Sequence, residues 1–147
     1  MSELDDMLAR PGDVLLIDWP SPEVPEALAR AGWTVHVKGG PGVTDFAVRE
    51  VEEGQLVTRR TGKQPEHVDI VYLHRPLEEL AGAVATACQT GARLIWYQSG
   101  LSSDGTRDPR GCWLAPEQSQ RARTEVEAAG LSYVDDCYIA AAVSRRG

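Results

Sequence analysis

Three short, largely apolar runs restrict the fold of this chain more than any other feature of its sequence. They lie at 13–18, 68–73 and 94–97, and their apolar residues follow one another with little alternation. This pattern predicts strands that are buried on both faces, as strands in a parallel sheet are. Such a sheet requires helices on both sides, because the crossover connections between parallel strands place them there.

The segments between these runs supply the helices. Apolar residues at helical spacing predict a helix over 22–31, with Ser21 as its N-cap and Pro22 at its first position. A strand over 33–38 follows and completes a strand–helix–strand unit. Further helices are predicted over 76–90 and 116–129, and a last strand over 131–134. The sequence therefore predicts an α/β protein, a three-layer Rossmann-like fold with a mainly parallel sheet of five to six strands.

Three details of this prediction are more specific. Residues 1–12 are interpreted as an N-terminal extension that contains a short helix. The polar segments 46–51 and 56–60 predict either a hairpin or one strand with an exposed appendage. Cys88 falls on the apolar face of the helix over 76–90, where we expect it to lie in the core.

Bulk properties narrow the class of protein. A length of 147 residues favours one domain over 1–147, and the formal charge of −7 argues against a nucleic-acid or membrane partner. No apolar run approaches the length of a membrane span, and the acidic N-terminal segment lacks the apolar core of a signal peptide. The three cysteines have no metal-site spacing, so we expect no metal and a reducing, cytoplasmic location.

Candidate site residues are those that follow the predicted strands, because ligands of open α/β sheets bind outside the carboxyl ends of the strands. The set consists of Asp18, Trp19, Ser21, Lys38, His74, Arg75, Pro76, Gln98, Gly100 and Cys137.

Three blocks of the sequence carry a resemblance to a known family: Val68 to Pro76, Gly91 to Gly100, and Ala128 to Cys137. The second block is similar to a Gly-Ala-Lys, strand, Trp-x-Gln-x-Gly pattern, and the third resembles an Ala-Gly, strand, Asp-Arg-Cys pattern. In order and spacing they resemble the small single-domain CoA-binding proteins, which share a Rossmann-like fold with the CoA-binding domain of succinyl-CoA synthetase α subunits. The resemblance implies that the crevice binds CoA, an acyl-CoA or a related adenine-containing anion.

The sequence departs from the family pattern mainly after the first strand. The family carries a loop with glycine and serine there, which binds phosphates through backbone N–H groups. In this chain the loop is Asp18-Trp19-Pro20-Ser21-Pro22, without glycine, and its two prolines have no N–H to offer. His74 also replaces an aromatic residue of the family, and Asp136 replaces the arginine of its last block.

The resemblance and the strand ends together assign ligand-binding roles to Trp19, Ser21, Lys38, Arg75, Pro76, Gln98 and Gly100. Gln98 offers an amide, or else ties down a loop. Arg75 can hold a carboxylate or phosphate, or else forms a salt bridge with Glu78 or Glu79. Lys38 suits a ribose phosphate and disfavours NAD, or else is an exposed lysine.

Two other functions remain open, and so does the question of whether the protein is an enzyme. In the first, the crevice catalyses a proton transfer (an isomerisation, elimination or cyclisation) with His74 or Asp18 as the base. Cys137 is the candidate nucleophile. In the second, Trp19 fills the crevice, and the protein acts as a non-catalytic partner through dimerisation.

Overall fold

The computed structural model of the protein describes residues 3–19, 22–39, 42, 44–98, 116–135 and 138–144. These residues form seven strands and five helices, and a short 3₁₀ helix, Leu77–Glu79, leads into the third helix. In chain order the elements are α1 (Glu3–Ala9), β1 (Asp13–Ile17), α2 (Glu23–Arg30), β2 (Thr34–Lys38), β3 (Phe46–Glu52), β4 (Gln55–Arg60), β5 (Ile70–Leu73), α3 (Leu80–Thr90), β6 (Leu94–Tyr97), α4 (Pro116–Ala128), β7 (Ser132–Val134) and α5 (Ile139–Ser144).

The strands form one sheet in the order β4-β3-β2-β1-β5-β6-β7. The pairings are parallel among the five strands β2, β1, β5, β6 and β7. The pairings of β3 with β2 and of β4 with β3 are antiparallel. The Rossmann-like α/β prediction is confirmed. The predicted strand number of five to six is wrong, because both arms of the polar segment 46–60 form strands and extend the sheet beyond β2.

Helices cover both faces of the sheet, as the unbroken apolar runs predict. Tyr72 and Trp96 contribute to a core with residues of α1, α2 and α5, and Leu73 and Tyr97 contribute to a second core with residues of α3 and α4. These four side chains are at most 1% exposed. Neighbouring residues of β5 and β6 thus enter opposite cores, because successive strand residues point to opposite faces.

The buried face of α3 differs from the predicted one. The structure buries Leu80, Ala83, Ala87 and Thr90, and Cys88 is exposed, so the prediction that Cys88 lies in the core is wrong. Cys88 is one residue, or about 100°, past Ala87 around the helix, which turns it away from the sheet. The polar Thr90 can occupy the buried face because its hydroxyl donates a hydrogen bond to the carbonyl of Thr86 at 2.8 Å.

The N-terminal helix α1 packs against the body of the protein. Its Met7 and Leu8 are 4% and 6% exposed and belong to the same core as Trp33, the residue before β2. Within the described residues, every helix is too short or too polar to cross a bilayer.

Candidate functional site

The strand order reverses at β1, which has β2 on one side and β5 on the other. In open α/β sheets the ligand crevice lies at such a switch point, outside the carboxyl ends of the strands. The residues that follow β1 and β5, beginning with Asp18 and His74, therefore flank the crevice. Gln98, which follows β6, lies one strand further along the same edge.

An ion pair joins the two sides of this crevice. Oδ2 of Asp18 lies 3.4 Å from Nη1 of Arg75, and Asp18 has a left-handed backbone with φ of 63°. Arg75 also donates hydrogen bonds to Glu79, the shortest of them 2.8 Å from Nη2 to Oε2. Glu79 first, and then Asp18, raise the pKa of Arg75 above its ordinary value. The salt bridge to Glu79 that the sequence offered as an alternative is present, and a ligand role for Arg75 stays a prediction.

His74 is buried and hydrogen-bonded beside this pair. Its Nδ1 lies 2.5 Å from the backbone carbonyl oxygen of Gln98. A carbonyl oxygen only accepts hydrogen bonds, so Nδ1 carries the proton and Nε2 is the nitrogen left to accept one. A general-base role for His74 stays a prediction, and it would use Nε2.

Gln98 connects the sheet to the last helix. The residue is fully buried, and its Oε1 accepts a hydrogen bond from the backbone N–H of Ile139 at 3.0 Å. Ile139 begins α5, so the amide binds an N–H that has no partner within the helix. This geometry matches the alternative in which Gln98 has a structural task, and its role toward a ligand stays a prediction.

A cavity of about 600 Å³ opens beside the carboxyl end of β1. Among the predicted site residues, Asp18 and Trp19 line it. The other lining residues come from the end of β2 and from the β3–β4 hairpin: Val37, Gly39, Asp45, Phe46, Ala47, Arg49, Thr58 and Arg60. The guanidinium carbon of Arg49 lies 5.4 Å from the centroid of the Trp19 ring, which is a cation–π contact. Trp19 therefore forms one wall of an open cavity.

Sequence reasoning did not select Arg49, Thr58 and Arg60. The sequence allows a hairpin over 46–60 but does not indicate which face of the sheet its residues occupy. The register pairs Arg49 with Thr58 and Ala47 with Arg60, which places these side chains on one face of the sheet. A two-residue turn at Glu53-Gly54 would by itself predict this pairing, and with it the shared face of Arg49 and Arg60.

The structure does not bring Lys38 into the cavity. Its Nζ lies 6.0 Å from the centroid of the Phe46 ring, and the preceding residue, Val37, lines the cavity. Because neighbouring strand residues point to opposite faces, Lys38 extends from the other side of the sheet. Its role toward a ribose phosphate stays a prediction.

The remaining predicted site residues separate into two groups. Pro76 immediately precedes the 3₁₀ helix and has an extended backbone, with φ of −54° and ψ of 153°. Ser21, Gly100 and Cys137 lie outside the described residues.

Asp135, the first residue of the segment that resembles Asp-Arg-Cys, connects β7 to α4. Its Oδ2 accepts hydrogen bonds from the hydroxyl of Tyr133 at 2.8 Å and from the hydroxyl of Ser119. Burial, followed by the hydrogen bond to Asp135, raises the pKa of Tyr133 well above its ordinary value. In the part of the chain that the structure describes, no group of three or more His, Cys, Asp or Glu side chains is arranged to hold a metal ion.

The strand order defines a Rossmann-like α/β domain. Its switch point at β1 and the cavity beside it form a crevice at the carboxyl ends of the parallel strands. The sequence model of the family described as CoA binding domain matches residues 12–142. The chain belongs to this family.

Three solved structures resemble the fold. A protein from Thermus thermophilus, cell-free ID.343, is 22% identical with a TM-score of 0.58, over 99% of this chain and 97% of its own. Prb, a redesign of the PH1109 protein for binding, is 17% identical with a TM-score of 0.59, over 99% and 89%. A hypothetical protein from Pyrococcus horikoshii OT3 is 17% identical with a TM-score of 0.55, also over 99% and 89%. No curated protein matches the sequence.

Proposed function

We propose that the protein binds CoA, an acyl-CoA or a related adenine-containing anion at the carboxyl ends of its parallel strands. The observation that carries the proposal is the cavity of about 600 Å³ beside β1, in a chain whose family is the CoA binding domain family. The volume lies within the roughly 300–1,000 Å³ that small-molecule sites occupy.

The chemistry of the cavity suits such a ligand. Trp19 offers an aromatic surface for a planar base, and Arg49 and Arg60 offer positive charge for an anionic group. CoA is longer than one cavity of this size, so part of it would follow the sheet edge toward β5. Arg75 and Pro76 lie in that direction.

The two alternatives have weaker support. Of the candidate bases, Asp18 is ion-paired with Arg75, and His74 is buried with Nδ1 bound to the carbonyl of Gln98, which leaves only Nε2 for a proton transfer. A non-catalytic dimer would need an apolar surface. Val51, at 36%, is the one large hydrophobic side chain that is exposed in the described part of the chain.

Thermal unfolding and calorimetry with CoA, acetyl-CoA, NADP and NAD test the proposal. A ligand at a hundredfold excess over its Kd stabilises the folded state by about 2.7 kcal/mol, which raises the Tm of a domain of this size by roughly 5–10 °C. We expect this shift with CoA or acetyl-CoA. If none of the four ligands raises the Tm at millimolar concentration, the proposal is rejected.

A further inference from the structure

The cavity beside β1 has two walls of different chemistry. Asp18 and Trp19, at the exit of β1, form one wall, and Arg49, Thr58 and Arg60 of the β3–β4 hairpin form the other. We infer that the hairpin arginines, rather than the segment after β1, hold the phosphate of the ligand. The inference rests on the proposed function and adds to it the group that anchors the ligand.

The exit of β1 repels phosphate. Asp18 contributes a carboxylate to the cavity, and its Oδ1 accepts the backbone N–H of Trp19 at 2.9 Å. That N–H is therefore already bound to a protein group. The first turn of α2 carries Glu23 and Glu26, whose negative charges offset the attraction of the helix N-terminus for an anion.

The hairpin wall has the opposite character. Arg49 and Arg60 occupy diagonal positions on the same face of the β3–β4 pair, since Arg49 pairs with Thr58 and Ala47 with Arg60. Diagonal neighbours of this kind are within reach of one another's long side chains. Neither arginine forms an ion pair with a described carboxylate. Two like charges thus line the same face of the cavity, an arrangement that a bound anion would stabilise.

Arg49 has a further property that points to a ligand. Its guanidinium lies over the Trp19 ring, and its Nε is buried without a hydrogen-bond partner. The ring holds the guanidinium plane in place at the cavity wall, while the outer nitrogens of such a planar fork match the oxygens of a phosphate. The Thr58 hydroxyl on the paired strand adds another donor.

Two carboxylates also line the cavity, and each has a partner elsewhere in the protein. Oδ2 of Asp45 accepts the backbone N–H of Gly42 at 2.7 Å, and Asp18 pairs with Arg75 on the other side of the crevice. The hairpin wall therefore fits a phosphorylated nucleotide end, with the phosphate between Arg49 and Arg60 and the base near Trp19.

Arg59 provides a matched control for this assignment. It neighbours Arg60 on β4 but points to the opposite face, where its Nη2 lies 2.7 Å from Oε1 of Glu50. Arg59→Gln removes the same charge from the same strand without changing the cavity. Any loss of affinity that reflects net charge alone will thus occur in Arg59→Gln as well.

The experiment measures binding of CoA, adenosine 3′,5′-bisphosphate and phosphate-free pantetheine by calorimetry. We expect Arg49→Gln and Arg60→Gln each to weaken CoA and bisphosphate binding roughly ten- to a hundredfold, as loss of a charged hydrogen bond does. Arg59→Gln should change either affinity by less than about twofold. Pantetheine should bind all variants alike. Thermal unfolding checks each variant, and the exposed Arg60 provides the test if Arg49→Gln is unstable.

The outcomes separate the inference from the proposed function. If the wild type binds CoA and both cavity variants bind it as tightly as Arg59→Gln, the inference is wrong and the proposed function holds. If the wild type binds the bisphosphate through Arg49 and Arg60 but does not bind CoA, the inference holds and the proposed function is restricted to an adenine-containing anion other than CoA. If the wild type binds none of the ligands, both are rejected.

Discussion

Oδ2 of Asp18 and Nη1 of Arg75 lie 3.4 Å apart and connect the residue after β1 with a residue after β5. The pair crosses the switch point of the sheet, where a Rossmann-like domain receives its ligand. It places a carboxylate and a guanidinium next to each other at that point. The net charge at the carboxyl ends of the strands therefore depends on Asp18 as much as on Arg49, Arg60 and Arg75.

The first prediction concerns this carboxylate. Asp18→Asn should raise the affinity for CoA about threefold to tenfold, because it removes a negative charge from the wall of the cavity in which we propose that the ligand binds. The free energy of unfolding should change by less than about 1 kcal/mol, since the side chains of Asp18 and Arg75 are 48% and 43% exposed. Asparagine also tolerates the left-handed backbone of this position.

Calorimetry measures the affinity, and urea unfolding measures the stability. Glu66→Gln removes the same charge from an exposed residue away from the cavity and serves as the control. A weaker affinity in Asp18→Asn than in Glu66→Gln would show that Asp18 contacts the ligand favourably.

The second prediction tests the structural task of Gln98. Gln98→Leu removes the acceptor for the N–H of Ile139 and leaves that donor buried, which should lower the free energy of unfolding by about 1–3 kcal/mol. Chemical denaturation measures the change. Gln89→Leu, at an exposed glutamine of α3 with a 3.3 Å bond to Gln64, should stay within about 0.5 kcal/mol of the wild type. Equal effects of the two substitutions would contradict the anchoring of α5 by Gln98.

The third prediction concerns pH. Burial lowers the pKa of His36 below 6.5, and the nearby Asp13, with Oδ2 at 3.7 Å from Nε2, only partly opposes this. The unfolded chain therefore binds a proton at His36 more readily than the folded protein does. Stability from this group is present above the unfolded pKa of 6.5 and decreases as the pH falls below it.

Urea unfolding at pH 7.5 and at pH 5.5 measures this dependence. The free energy of unfolding of the wild type should fall over this interval, and His36→Gln should fall less. An equal or larger decrease in His36→Gln would show that His36 does not contribute to the acid sensitivity.

The fourth prediction compares two glycines. A Cβ on Gly12 would overlap Oδ2 of Asp69, the oxygen that accepts the backbone N–H of Asp13 at 2.9 Å. Gly12→Ala should therefore lower the free energy of unfolding by about 1–3 kcal/mol. Gly82, within α3, has no atom within 4 Å of its Cβ position, so Gly82→Ala should stabilise the protein by about 0.5–1 kcal/mol. Thermal unfolding measures both, and a stable Gly12→Ala would mean that Asp69 has room to move.

The main elements of the fold could be predicted from local patterns. The run at 94–97 corresponds to β6, Leu94–Tyr97, and the run at 13–18 to β1, because a strand buried on both faces needs consecutive apolar residues. Local patterns did not correctly predict which face of α3 is buried. Cys88 is apolar enough for a core, and Thr90 is buried only because its hydroxyl finds a backbone acceptor within the helix.

The candidate site could be predicted only in part. The rule that parallel strands end at one edge correctly brings Asp18, Arg75 and Gln98 to the same side of the sheet. It does not say which groups these side chains contact. Gln98 binds the N–H of Ile139, a residue 41 positions later, and no pattern around Gln98 indicates this partner.

The α/β class, the strand ends that flank the crevice and the family can all be inferred from residue types at short spacing. Which wall of the cavity carries the arginines depends on contacts that form only in the folded protein. Arg49 contacts Trp19, and Arg60 lies on the same face as Arg49. Both positions depend on the register in which β3 pairs with β2 and with β4. Those registers are set by contacts between distant segments, and a shift of one residue would turn both arginines to the opposite face.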